Sequence, residues 1–211
     1  YYAMIANLDW NIGRLLHSLD ETGQCENTIF VFTSDHGELF GAHGRQAKNI
    51  FYEEAVRVPF LLRWPGHLAG GTKRDLLLNV PDIMPTLLGL MDLPIPQAVE
   101  GTDLSGCLLG EGENEPEAAF LQGMGCTACW EDGYEWRALR TKRYTYAIYL
   151  SDHSELLFDN QSNPLQRQNL AGDPAYAARI AVFRRQIQQR MQVLNDEFKP
   201  CTWYRDHWTG D

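Results

Sequence analysis

The sequence predicts a mixed α/β fold, in which helices pack on a sheet in the first part and a small antiparallel sheet precedes a C-terminal helix in the last part. Residues 3–19 carry apolar side chains at helical spacing, and the apolar, β-branched run 27–33 follows them. Beyond residue 130, three short runs with strand character are separated by polar turns and end in a long amphipathic segment.

The first part contains a predicted helix and two predicted strands. We expect the helix over 3–19 to lie against a sheet, because its apolar residues form one stripe. Asn27–Thr33 predicts a strand inside an α/β layer, and Val58–Trp64 predicts a second strand. Between them we expect a loop bearing Gly and His, Gly41–Lys48, and a short helix, Phe51–Ala55. The stripe of the first helix consists of Ile5, Leu8, Ile12, Leu15, Leu16 and Leu19.

A change in composition predicts a boundary between two parts of the chain. Pro81–Leu90 suits a helix that begins around its prolines, since proline is tolerated in the first turn. The segment Gly110–Glu117 that follows is acidic and Gly-rich, which is typical of a linker. We therefore predict that residues 1–110 form the α/β part and that residues 111–211 form a small α+β subdomain.

The subdomain is predicted to be an antiparallel meander followed by a helix. Trp136–Arg140, Tyr144–Leu150 and Ser154–Phe158 have strand character, and polar turns separate them. Asp173-Pro174 is a helix-start signal. The apolar stripe of the helix that follows indicates packing and no cofactor site. It consists of Ile180, Phe183, Ile187, Met191, Leu194 and Phe198.

Length and charge exclude two classes of partner. No apolar run approaches the roughly 18 residues of a membrane span. The net charge of −10 argues against nucleic acid, which is bound by clustered Lys and Arg. It does not exclude small anionic substrates, which respond to the local field of a cleft.

The cysteines and the N-terminus leave the compartment open. Cys126 and Cys129 form a lone CxxC, which we interpret as reduced thiols in a loop, since a structural zinc site would need a second pair or nearby histidines. The chain begins at Tyr1 without an initiator Met or the basic region of a signal peptide. We expect a piece of a longer protein, and we predict no localisation or oligomeric state.

The most informative motif is Thr33-Ser34-Asp35-His36-Gly37-Glu38, at the end of the first predicted strand. In open α/β sheets, ligands bind outside the carboxyl ends of strands. Asp35 and His36 are placed at that end, and Gly37 is expected to let the chain turn sharply. Two adjacent potential ligands at this edge suggest a metal site.

An ordered set of motifs resembles the sulfatases of the alkaline-phosphatase superfamily. The set includes the Ser34–Gly37 string, Gly41-x-His43-Gly44-x-x-x-Lys48 and the segment from Tyr52 to Pro59. Asp82-Ile83-x-Pro85-Thr86 continues it, and Leu157-Phe158-Asp159 resembles the C-terminal signature of the family. The resemblance implies that residues 1–110 are part of an alkaline-phosphatase-like sheet with packed helices.

The resemblance also implies site residues and a cofactor. A divalent cation, commonly calcium, would be bound by Asp35 and His36, and Lys48 would contact the sulfate group. His43, in the same loop, is a further catalytic candidate that would line the pocket. The alternatives are a turn carboxylate for Asp35, a hydrogen-bonded turn histidine for His36, a solvated lysine for Lys48 and a loop-packing role for His43.

The sequence lacks the motif that provides the nucleophile in this family. The sulfatase nucleophile is a formylglycine made from a Cys/Ser-x-Pro-x-Arg motif, and no such motif occurs in the sequence; the nearest string is Ser162-Asn163-Pro164-Leu165-Gln166. The paired N-terminal aspartates of the family are absent too. Calcium takes about six to eight oxygen ligands. We therefore predict that the isolated chain is inactive.

The resemblance implies hydrolysis of a small-molecule or carbohydrate sulfate ester. The first alternative is a phosphoesterase or phosphotransferase of the same superfamily, and the second is a noncatalytic domain of that fold. Specificity would depend on loops near Gly41–Lys48 and on residues 121–135. Trp130 and Trp136 could stack on a sugar or aryl ring, or could equally belong to the core.

Overall fold

The computed structural model describes residues 1–112, 115–126 and 130–207 and confirms a mixed α/β fold. The helices are α1 Tyr2–Glu21, α2 Glu53–Val56, α3 Val80–Leu90, α4 Ser105–Leu109, α5 Ala177–Val193 and α6 Cys201–Asp206. The strands are β1 Phe30–Thr33, β2 Phe60–Arg63, β3 Ala119–Cys126, β4 Glu131–Arg140, β5 Tyr144–Tyr149 and β6 Glu155–Asp159. Short 3₁₀ helices occupy Cys25–Asn27, Ala42–Gly44 and Pro174–Tyr176.

The first two strands form a sheet of their own. β1 and β2 pair antiparallel, with Phe30 opposite Arg63 and Thr33 opposite Phe60. Within the described residues neither strand pairs with any other strand. The predicted strand is therefore present, and within the described chain it has a single neighbouring strand. Residues 30–32 are half-buried and Thr33 is exposed, because only one neighbouring strand covers the run.

Helix α1 is present as predicted, but it does not lie against a sheet. None of its residues is buried, and Met4, Leu8 and Leu15 are 75%, 51% and 58% exposed. Its main contact with another element is with the 3₁₀ helix Cys25–Asn27. The apolar spacing predicted the helix correctly, whereas the described residues supply no surface that its stripe could cover.

The four remaining strands form an antiparallel meander in chain order, β3-β4-β5-β6. The three strands predicted from sequence correspond to β4, β5 and β6, whereas β3 was not predicted. β3 contains Gly123 and Gly125, and glycine is uncommon in strand interiors. The structure explains Gly123, since a Cβ there would lie 2.1 Å from the ring of Trp136. Trp136 is 4% exposed and belongs to the core.

Both faces of the four-stranded sheet are covered. One face packs against the loop and helix α2 of the first part, and the other face packs against α5. The first cluster consists of Leu39, Ile50, Phe51, Ala55, Trp136, Ala138, Ala147 and Phe158. The second consists of Leu139, Tyr144, Tyr146, Leu157, Ile180, Phe183 and Ile187, which confirms that the helical stripe packs. The candidate-site loop therefore lies on the four-stranded sheet.

Polar contacts join the same two regions. Arg140 Nε donates to Glu53 Oε1 at 2.6 Å, and the Glu53 backbone N–H donates to Gln166 Oε1 at 2.9 Å. Trp136 Nε1 donates to the Asn49 carbonyl oxygen at 3.1 Å. These contacts attach α2 and the segment before it to β4 and to the segment that follows β6. The boundary between residues 110 and 111 stays a prediction.

A buried ion pair attaches the C-terminal segment to the sheet. The guanidinium of Arg137 donates to both carboxylate oxygens of Asp196, and the two side chains are 2% and 5% exposed. Gln122 Nε2 and the Phe198 backbone N–H also donate to this carboxylate. All polar atoms of the pair are thus engaged by neighbours, as buried charges require.

Two further sequence predictions concern the thiols and the membrane. Cys129 and the side chain of Cys126 lie outside the described residues, so the state of their motif stays a prediction. Cys25 and Cys107 form no disulfide. Among the described helices, none is both long enough and apolar enough to cross a lipid bilayer.

Candidate functional site

The candidate site begins where β1 ends. After Thr33 the chain forms a tight turn, in which the Ser34 hydroxyl donates to the His36 carbonyl oxygen at 2.8 Å. The His36 backbone N–H donates to Asp35 Oδ1 at 2.9 Å. These two bonds hold the backbone of the turn and fix the carboxylate of Asp35 beside the imidazole of His36. Local hydrogen bonds of this kind are typical of Ser and Asp in turns.

Gly37 is needed for a close approach between two backbone segments. Its N–H donates to the Ala55 carbonyl oxygen at 2.8 Å. A Cβ at Gly37 would lie 1.9 Å from the Glu54 carbonyl oxygen. Its φ is not positive, so the expected role in a sharp turn is not the reason for glycine here. The missing side chain instead lets the turn press against α2.

Asp35 and His36 present two electron-pair acceptors to the same place. His36 Nδ1 lies 2.8 Å from the Gly37 carbonyl oxygen, which can only accept, so Nδ1 carries the proton. His36 Nε2 then faces Asp35 Oδ2 at 3.1 Å. A lone pair facing a carboxylate oxygen is repulsive unless a proton or a cation lies between them. A carbonyl that orients Nδ1–H is the usual support for a metal-binding histidine.

The carboxylate of Asp35 is in the charged form needed for a cation. The His36 backbone N–H holds the pKa of Asp35 below its usual value, and the Ser34 hydroxyl acts in the same direction. Asp35 is 81% exposed and His36 is 37% exposed, so both can be reached from outside. The carboxylate is therefore ionised and accessible at neutral pH.

His43 is packed in the loop and is linked to the turn. Its ring stacks on Tyr52 with centroids 3.7 Å apart and planes 5° apart. Its Nε2 lies 3.3 Å from Glu54 Oε2, and the side chain is 12% exposed. Because the Glu54 carbonyl also abuts Gly37, His43 and the turn belong to one assembly. This geometry fits the loop-packing role, and the catalytic role stays a prediction.

Lys48 is exposed, and its ammonium makes no hydrogen bond or ion pair with the described residues. Its two neighbours are held in place. The Ala47 carbonyl oxygen accepts from Leu39 N–H at 2.9 Å, and the Asn49 carbonyl oxygen accepts from Trp136 Nε1 at 3.1 Å. Lys48 is thus an unpaired cation on an anchored backbone, and within the described residues no hydrogen bond or ion pair joins its ammonium to Asp35, His36 or His43.

Sequence reasoning missed a second cation in this loop. Arg45 is exposed, and its guanidinium makes no hydrogen bond or ion pair with the described part of the chain. Its charge acts on the phenols of Tyr52 and Tyr149, which belong to the border of the first core cluster. The spacing of Arg45 between His43 and Lys48 was a signal that could have identified it.

The described residues supply only part of a metal site. No group of three or more His, Cys, Asp and Glu side chains that could hold a metal ion occurs within residues 1–112, 115–126 and 130–207. Asp35 and His36 are the two adjacent donors of the turn. A carboxylate oxygen suits a hard cation, but two donors fall far short of the roughly six to eight that calcium takes. The pair fits a contribution to a shared cation site and does not form one alone.

Comparisons with known proteins identify the family of this chain. Residues 1–93 match the family model described as Sulfatase. The chain is 36% identical to the ulvan-active sulfatase of Formosa agariphila over 97% of its own length and 40% of that protein. It superposes with a TM-score of 0.85 and 26% identity on a structure solved in complex with its substrate D-glucosamine-2-N,6-O-disulfate, covering 95% of this chain and 41% of that one.

A third relative has a different activity in its name. The phosphonate monoester hydrolase of Agrobacterium radiobacter superposes with a TM-score of 0.78 and 29% identity, over 91% of this chain and 40% of that chain. The chain spans about two-fifths of the length of these relatives. The agreement in sequence and fold nevertheless extends over nearly the whole chain. With its alkaline-phosphatase-like fold, this chain belongs to the sulfatase family of the alkaline-phosphatase superfamily.

Proposed function

We propose that the protein containing this chain hydrolyses a sulfuric ester of a carbohydrate or another small molecule. Membership of the sulfatase family supports the reaction class. The similarity to a structure whose name states a disulfated glucosamine substrate supports a carbohydrate ester. The chain contributes the turn Ser34–Gly37 and the loop Gly41–Lys48, while the nucleophile lies outside these residues.

One observation carries the proposal most directly. His36 Nε2 and Asp35 Oδ2 lie 3.1 Å apart, with Nδ1–H of the same imidazole bonded to the Gly37 carbonyl oxygen. This arrangement places two acceptors where a cation would be attracted. Membership of the family implies a divalent cation, and we propose calcium, with Asp35 as its oxygen ligand and His36 beside it. Such an ion, when bound, would neutralise charge on sulfate oxygens.

Lys48 is proposed to bind the sulfate group. An ammonium is a compact charge with three donors, which suits the non-bridging oxygens and the leaving oxygen of a sulfate ester. The absence of a carboxylate partner among the described residues leaves this charge available. His43 is proposed to support the pocket wall from its stack on Tyr52, with a direct catalytic contact as the alternative.

The test uses the complete product of the gene that encodes this chain. Release of sulfate from an aryl sulfate and from a sulfated monosaccharide is measured with and without a chelator and added calcium. We expect hydrolysis that the chelator abolishes. Lys48→Gln should lower kcat/KM by about 10²-fold, the scale seen when one charge-stabilising donor is removed. Lys73→Gln, at an exposed lysine outside the loop, is the matched control and should leave it unchanged.

Similarity to the phosphonate monoester hydrolase favours the second candidate, a phosphoesterase of the same superfamily. The same enzyme preparation is therefore assayed with matched aryl phosphate and aryl phosphonate esters. Hydrolysis of these esters without release of sulfate would replace the proposed function by the second candidate. No hydrolysis of any ester by correctly folded protein would indicate a noncatalytic domain. The isolated 211-residue chain should be inactive, and turnover by it with added calcium would contradict the incomplete metal site.

A further inference from the structure

The loop beside the candidate site carries a second cation, Arg45, besides Lys48. Arg45 and Lys48 are both exposed in a chain whose net charge is −10, and neither side chain has a partner within the described residues. The two carboxylates of the neighbouring helix α2 are already engaged. Glu53 bonds to Arg140, and Glu54 lies 3.3 Å from His43. Arg45 is therefore available to a ligand.

Two tyrosine hydroxyls near Arg45 are also available. The ring of Tyr52 is fixed by its parallel stack on His43 at 3.7 Å and by Phe51 at 5.1 Å. The ring of Tyr149 contacts the same Phe51 at 5.9 Å. Both rings border the buried core, yet neither hydroxyl makes a hydrogen bond among the residues that the structure describes. The two rings are therefore held in place, and their hydroxyls are available to hydrogen-bond an external ligand.

The electrostatics keep these phenols in the donor form. Burial raises the pKa of Tyr52 and of Tyr149, while the Arg45 guanidinium opposes that rise in both. The Arg45 backbone N–H donates to the Ala42 carbonyl oxygen at 3.0 Å, and Ala42 borders the same core cluster as Tyr52 and Tyr149. Because the pKa of each phenol stays raised from its ordinary value, the hydroxyls remain protonated at neutral pH and can donate. A guanidinium with two phenol donors is a set that suits an oxyanion.

We infer that Arg45, Tyr52 and Tyr149 form a subsite for a second acidic substituent of the saccharide, distinct from the sulfate ester that is cleaved. The substituent is an oxyanion, either a uronic acid carboxylate or a second sulfate. The subsite adjoins the reaction site, because Tyr52 stacks on His43 and His43 bonds to Glu54, whose carbonyl abuts Gly37. The inference rests on the proposed function for its substrate class.

The experiment compares three disaccharides, each with one cleavable sulfate ester, as substrates of the complete gene product. One is otherwise neutral, one carries a uronate and one carries a second sulfate. Arg45→Gln should lower kcat/KM by about 10- to 100-fold for the preferred acidic substrate, mainly through KM, as expected for loss of a charge-assisted hydrogen bond. Its effect on the neutral monosulfate should stay within about threefold. Tyr149→Phe should give a smaller loss in the same direction.

The matched control is Arg185→Gln, at an exposed arginine of α5 that makes no side-chain hydrogen bond or ion pair within the described chain. It should leave all three substrates unchanged. A higher kcat/KM of the wild-type protein for the uronate substrate or for the second-sulfate substrate identifies the substituent. Equal losses on all three substrates with Arg45→Gln, or no preference for either acidic substrate, would overturn the inference.

A binding measurement separates this inference from the proposed function. Two disaccharides without the cleavable sulfate ester are used as ligands, one carrying the uronate and the other carrying only the second sulfate. Each is titrated calorimetrically into the wild-type protein and into the Arg45→Gln variant. Binding of one of them to the wild type and its loss in the variant supports the subsite even if no ester is hydrolysed. Binding of neither compound to the wild type refutes the subsite even if the sulfatase activity is present.

Discussion

Replacing Gly37 by alanine should disturb the candidate site more than any other single methyl group in this region. The new Cβ would lie 1.9 Å from the Glu54 carbonyl oxygen and 2.9 Å from its carbon, whereas real Cβ atoms essentially never approach within 3.0 Å. The turn and α2 must therefore separate by about 1 Å. Both are backbone segments, so no side-chain rotation can relieve the clash.

The expected cost has two parts. Overpacking of a close contact costs about 1–3 kcal/mol, and loss of the 2.8 Å hydrogen bond from Gly37 N–H to the Ala55 carbonyl adds about 0.5–1.5 kcal/mol. We expect the free energy of unfolding to fall by about 2–4 kcal/mol. A displacement of about 1 Å at Asp35 and His36 should lower kcat for ester hydrolysis by about 10²-fold.

The assay pairs urea unfolding with sulfate release, using Gly13→Ala as the control. Gly13 lies inside α1 with nothing within 4 Å of a built Cβ, so alanine there should stabilise the protein by up to about 1 kcal/mol. If Gly37→Ala unfolds within about 0.5 kcal/mol of the wild type and retains its kcat, the close approach does not position the site and the reasoning fails.

Two further predictions concern ion pairs in the C-terminal half of the chain. Asp196→Ala leaves Arg137, which is 2% exposed, buried without its partner, and it should lower the free energy of unfolding in urea by about 3–5 kcal/mol. Asp206→Ala removes one partner of an exposed pair and should change that free energy little. Equal effects of the two substitutions would contradict the role of burial. Hydrogen bonds from Arg143 lower the pKa of Asp159 to about 2, below the roughly 3.9 of an unfolded aspartate. This pair therefore stabilises the fold above about pH 4 and its contribution is lost as the pH falls toward 2. Asp159→Asn should flatten the pH dependence of unfolding across that window, and an unchanged slope between pH values of about 4 and 2 would contradict it.

The candidate site was predictable as a set of residues and only in part as a geometry. The string Ser34–Gly37 after an apolar run indicated Asp35 and His36 as adjacent potential metal ligands. The structure places Asp35 Oδ2 and His36 Nε2 3.1 Å apart. Whether they and Lys48 act in a sulfatase site stays a prediction. The reason for Gly37 was wrong, because a contact with a segment 17 residues further along the chain cannot be deduced from local spacing.

The packing partners of the loop were not predictable at all. In the sequence, Arg45 belongs to a polar loop and Tyr52 to the short predicted helix after it, and Tyr149 is about a hundred residues away. They become one cluster only because the Leu39–Ala55 region packs on the face of the sheet that carries Trp136. Strand β3 was not predicted for a related reason. Its Gly123 makes room for the ring of Trp136 on the neighbouring strand, and this contact is not visible in the local sequence.

By itself, the sequence determined the periodic elements and the chemistry-bearing strings, because helical spacing, strand alternation and turn residues are local properties of the chain. The antiparallel pairing of β1 with β2, the exposure of α1 and the cluster around Arg45 were decided by tertiary structure. Each depends on which surfaces meet, and contacts between distant segments are set by burial and shape across the whole fold.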